Sequence, residues 1–116
     1  TSLTKNGGWD VPLAQRLAAC LRRPVAVTNL GGAGETSRWG LTQIDAVRSI
    51  QPDVVVIEFS ANDASLLKGF SIAESAANAE TMARRLAAGE SKPKIILAAM
   101  NPMHGLRGWI RPWLDQ

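Results

Sequence analysis

The run Asp53-Val54-Val55-Val56-Ile57-Glu58-Phe59 sets the tightest limit on what this chain can fold into. Four consecutive β-branched apolar residues offer no polar face. The strand they predict therefore needs cover on both sides, as in a parallel sheet under helices. The flanking punctuation agrees. Upstream, Asp10 can cap a helix through Leu13, Leu17 and Leu21, with Arg22 and Arg23 at its C-terminal end and Pro24 as its stop. Val25 to Thr28 reads as a short strand, and a glycine-rich turn leads to a second helix from Thr36 to Ile50, ended by Pro52. Downstream, Ser71 and Glu74 form a capping box for a third helix. Ile72, Ala76, Ala79, Met82 and Leu86 share its face, and Gly89 closes it. Lys94 to Ala99 reads as a third strand. Helices alternating with strands in this order predict an α/β fold with a parallel sheet. The pattern starts on a helix and ends on a strand plus tail. One truncated domain over 1–116 is therefore expected, completed by further segments at each end.

Composition removes several classes of function. With one cysteine, Cys20, and one histidine, His104, the chain has neither an internal disulfide nor a His-rich zinc site, and no metal or cofactor is expected. No apolar run reaches the roughly 20 residues of a transmembrane helix. The net charge is +3, and nine of the thirteen cations are arginines scattered along the chain. That distribution reads as a solvated surface and not as a nucleic-acid site. The tail from Gly105 to Leu114 pairs Trp109 and Trp113 with arginines. It fits an amphipathic lid, a membrane-facing patch or a sugar-stacking platform, with packing against a further part of the protein as the plainer reading. Trp39 is expected in the core.

Ligands of open α/β sheets bind outside the carboxyl ends of the strands. Three segments fall there: 29–36 (NLGGAGET), 60–63 (SAND) and 101–105 (NPMHG). All are small and polar. Glycine lets a backbone N–H approach an anion, and asparagine adds a neutral amide donor. Converging donors of this kind describe an oxyanion hole. Plainer readings stand beside this one. Gly31 to Gly34 can be a simple left-handed turn, and it lacks the Gly-x-Gly-x-x-Gly spacing of a dinucleotide loop. Asn62-Asp63 can cap a turn.

Three blocks carry a resemblance. Thr1-Ser2-Leu3-Thr4 followed by Gly7-Gly8-Trp9 resembles the first block of the SGNH (GDSL) hydrolases, whose Gly-Asp-Ser-Leu turn presents a nucleophilic serine. The segment 29–41, NLGGAGETSRWGL, is similar to their second block, and 58–64, EFSANDA, to their third, normally Gly-x-Asn-Asp. The resemblance implies a flavodoxin-like three-layer α/β/α fold and hydrolysis of carboxylic esters through an acyl-serine, with deacetylation of a carbohydrate among the reactions it covers. The partner it implies is a small-molecule or carbohydrate ester.

By the same resemblance, Ser2 is the nucleophile. The oxyanion hole is the N–H of Ser2, the N–H of Gly34 and the side-chain amide of Asn62, while Asp63 supports the loop. Two substitutions depart from the blocks: Thr1 stands for the usual aspartate and Ser60 for the usual glycine, which adds a Cβ and a hydroxyl beside the hole. The larger departure is the base. A serine hydroxyl needs one, and the family supplies it from a C-terminal Asp-x-x-His. Asn101-Pro102-Met103-His104 has that spacing without the aspartate, so the base is expected beyond Gln116, with His104 as the other candidate. A non-catalytic carbohydrate- or partner-binding module on the same fold is the competing class, and a nucleotide-binding regulator a third.

Overall fold

The computed structural model describes residues 5–100 and Ile110. The chain divides into two units, Thr1–Gly34 and Glu35–Gln116.

In the first unit, α1 spans Asp10–Leu21. Trp9, not Asp10, takes the N-cap position. Asp10 sits in the first turn, where its carboxylate accepts the Val11 N–H at 3.0 Å and its charge suits the helix dipole. Arg22 ends the helix in the left-handed region at φ 52°, and Arg23 N–H reaches back to the Ala18 carbonyl at 3.3 Å. The leucine face is exposed, with Leu13 at 39%, Leu17 at 37% and Leu21 at 50%. Residues 25–30 alternate half-buried and exposed, the period of extended chain, but they belong to no strand. The expected strand over Val25 to Thr28 is thus corrected to an extended segment. β-Branched residues favour extended backbone, yet a strand exists only where a ladder partner does.

The second unit holds the sheet. Strand β1 (Val54–Ile57) pairs in parallel with β2 (Lys94–Leu97), Val54 opposite Lys94 and Ile57 opposite Leu97. The expected second helix is two: α2 (Ser37–Thr42) and α3 (Ile44–Ser49). The break falls at Thr42 and Gln43. The Thr42 hydroxyl donates to the Trp39 carbonyl at 2.7 Å, and the Gln43 N–H closes a tight bond to the Gly40 carbonyl at 3.0 Å. Next come a single turn, α4 (Ser60–Asp63), a 3₁₀ turn (Leu66–Lys68) and the long crossover helix α5 (Ile72–Ala87).

Helix α5 starts at the expected cap, with the Glu74 N–H donating to Ser71 Oγ at 3.1 Å. The reciprocal half of the box is replaced, because Glu74 gives both carboxylate oxygens to Arg38 of α2, at 2.6 and 2.8 Å. Arg38 also lies 4.1 Å over the Phe70 ring, so it fastens α2 to the start of α5. The core is Ile44, Ile57, Met82 and Leu86, with Leu41, Val47, Val55, Phe59 and Ile95 packed on it. Each fully buried member contributes roughly 1.5–3 kcal/mol. Among the described residues this covers one face of the sheet. Val54, Val56 and Ile96 on the other face are 50%, 63% and 50% exposed, so the expected cover on both faces is found on one. No described helix is long and apolar enough to cross a membrane.

Candidate functional site

The carboxyl end of β1 runs directly into the site. Glu58 accepts the Ser60 hydroxyl at 3.0 Å and the Ala61 N–H at 3.4 Å, which turns the chain sharply into α4. The Ser60 hydroxyl in turn accepts the Met100 N–H at 3.0 Å, joining the exit of β2 to the exit of β1. The added hydroxyl at position 60 is therefore a tie between two strand ends.

Asn62 and Asp63 act as a pair. The Asn62 side-chain amide donates to the Glu35 carbonyl at 2.6 Å, and the buried Asp63 carboxylate accepts the Ser37 N–H at 2.9 Å. An amide can donate and a carboxylate can only accept, so adjacent side chains hold one carbonyl and one N–H of the same short backbone segment. Asp63 thereby satisfies the first N–H of α2, for which Thr36 provides no side-chain cap. Its other oxygen accepts the Ser75 hydroxyl at 2.8 Å, and Asn78 donates to the Ser37 hydroxyl at 2.9 Å. Asp63 and Ser37 are each 1% exposed. Such burial is tolerated because every one of these polar groups has a partner. A cavity of about 90 Å³ adjoins the network, with Ser60, Asp63 and Ser75 on its polar side and Phe59, Met82 and Leu97 on its apolar side.

Asn62 is half-buried. One of its two amide protons is engaged by Glu35, leaving a second donor on a nitrogen whose direction is fixed. Gly34 is exposed, at φ +70°, a conformation that L side chains rarely adopt, so the backbone favours glycine there. The turn before it is set by Asn29, whose side chain accepts the Gly31 N–H at 2.9 Å. Ser2 and His104 lie outside the described residues, as does the tryptophan-rich tail except Ile110, whose carbonyl accepts the Leu66 N–H at 2.9 Å. Among the described residues no cluster of His, Cys, Asp and Glu could hold a metal ion. Ser75 and Asn78 escaped the sequence reading. The available signal was their placement two turns and one turn before Met82, respectively, on its own helical face.

An α/β protein with a parallel sheet and a fastened Asn-Asp turn at a strand's carboxyl end is the class these observations define. The whole chain, residues 1–116, matches the GDSL-like Lipase/Acylhydrolase family, and the protein belongs to that family. Membership points to hydrolysis of esters in general. No curated protein and no solved structure matches it.

Proposed function

We propose that the protein is a serine esterase in which Ser2 attacks the ester carbonyl and forms an acyl-enzyme. The tetrahedral oxyanion is held by the N–H groups of Ser2 and Gly34 and by the Asn62 amide. The observation that carries this reading is the fastening of Asn62. One proton on the Glu35 carbonyl and a neighbour buried on Ser37 hold the second N–H in a fixed direction, as a preorganised donor requires. The left-handed Gly34, immediately before Glu35, supports it, since that backbone leaves a glycine N–H unshielded by a side chain. The substrate class is a carboxylic ester, with a carbohydrate acetate as the first to try.

Kinetics of the full-length protein on an acetyl ester test this. Ser2→Ala is expected to abolish turnover, and retained activity there refutes the nucleophile. Asn62→Ala is expected to lower kcat by about 100- to 1,000-fold with little change in KM, because the oxyanion exists only in the transition state. The reverse pattern makes Asn62 a substrate-binding group. His104→Ala, in the same assay, decides whether His104 is the base.

A further inference from the structure

Helix α5 turns two kinds of surface inward. Its C-terminal half presents Met82 and Leu86 to the core, whereas its N-terminal half presents Ser75 and Asn78 to Asp63 and Ser37. A helix whose only task was to cover the sheet would gain more from apolar side chains at those two positions, since buried polar groups at best recover what they lose on leaving water. The two polar residues end on groups that flank Asn62. Ser75 holds one oxygen of Asp63, Asp63 holds the Ser37 N–H with the other, and Asn78 holds the Ser37 hydroxyl. Ser37 is two residues from Glu35, whose carbonyl sets the direction of the Asn62 amide.

We propose that Ser75 and Asn78 are positioning residues for the Asn62 donor, acting through Asp63 and Ser37. This rests on the oxyanion reading of Asn62 above. When Ser75 is truncated, Asp63 loses its second tether and can rotate off the Ser37 N–H. The segment carrying the Glu35 carbonyl then loosens, and Asn62 follows it. The ground state makes little use of that direction; the transition state does. A misplacement of about 1 Å at a preorganised donor costs on the order of 10- to 100-fold in rate.

The test is a kinetic cycle in the full-length protein on an acetyl ester, with folding of each variant checked by its thermal transition. Ser75→Ala is expected to lower kcat about 10- to 100-fold with KM within about twofold, and Ser75→Thr, which keeps the hydroxyl, to restore most of it. In the Asn62→Ala background the same Ser75→Ala change is expected to cost less than about twofold, because the donor it orients is gone. Asn78→Ala is read in the same way, so loss of folding in one variant leaves the other to decide. Equal losses from Ser75→Ala in both backgrounds, or none in either beside a large loss for Asn62→Ala, overturn the positioning role and leave the oxyanion reading standing. A harmless Asn62→Ala overturns both.

Discussion

Gly40→Ala separates local preference from packing, because the two act in opposite directions. Gly40 lies within α2, and in a helix interior alanine is better than glycine by about 1 kcal/mol. A Cβ at this position would stand 2.5 Å from Phe59 Cε2, 2.7 Å from Phe59 Cζ and 2.8 Å from Met82 Sδ. Met82 is flexible and can withdraw. The Phe59 ring has less freedom, since Trp39 meets it edge-on with centroids 6.4 Å apart and its backbone leads straight into α4. Carbon atoms sit comfortably at about 3.5–4.0 Å, so the ring or α2 must shift by about 1 Å. Overpacking of that kind costs about 1–3 kcal/mol. Rigid surroundings put this site at the upper end, so the net effect is a destabilisation of about 2 kcal/mol after the helical gain. Urea denaturation should show a lower midpoint with an unchanged slope, and Phe59→Leu, which removes the ring edge, should recover part of the loss. A midpoint that stays or rises would refute the close approach of α2 to Phe59.

Two further outcomes follow from the site's surroundings. The Arg38 hydrogen bond holds the Glu74 carboxyl below the usual range and raises Arg38; since the folded state then binds fewer protons, the stabilisation is present above the unfolded carboxylate pKa and is lost as pH falls through the lower folded value. The stability difference between wild type and Arg38→Gln should accordingly shrink between roughly pH 6 and roughly pH 3, and a pH-independent difference would show that the pair's charge plays no part. Ser60→Gly gives the family's usual residue but removes the acceptor of the Met100 N–H; a loss of about 1–2 kcal/mol in chemical denaturation is expected, and unchanged stability would mean that the tie between the two strand ends contributes nothing.

Much of the fold was legible where one residue type repeats at one period. Val54 to Ile57 and Ile95 to Leu97 are short apolar runs rich in β-branched residues, and both fall in strands. Ser71 begins α5 as its cap chemistry predicts. Other features were set by partners far away in sequence. The capping box is half-formed because Arg38, 36 residues from Glu74, competes successfully for its carboxylate. The break between α2 and α3 falls where the Gln43 N–H bonds the Gly40 carbonyl, a local choice that no hydrophobic period marks. The inward face of α5 was expected to include Ile72 and Ala76, yet Ile72 is 46% exposed and Ala76 is exposed as well. Hydrophobic periodicity finds the face of a helix that packs on apolar neighbours. It cannot find one that packs on a buried carboxylate, because the attraction comes from Asp63 and not from water's rejection of the side chain.

The pair at 62 and 63 can be read from its hydrogen bonds alone. A donor next to an acceptor suits a task that needs both at once, and the backbone between Glu35 and Ser37 offers a carbonyl and an N–H a short distance apart. Two asparagines could form both bonds only as neutral groups, and two aspartates would leave the Glu35 carbonyl facing a carboxylate. The chosen pair puts the carboxyl group where it is buried, with one bond to each oxygen, and leaves the amide half-buried with a second N–H. Under the proposed oxyanion role that division is the workable one: a carboxylate in the outer position would repel a developing negative charge, whereas an amide would stabilise it. The dipeptide thus ties the exit of β1 to the backbone segment that opens α2. Ser75 and Asn78 were harder to read, because their place on the face of Met82 marks them as inward but not which buried group they hold.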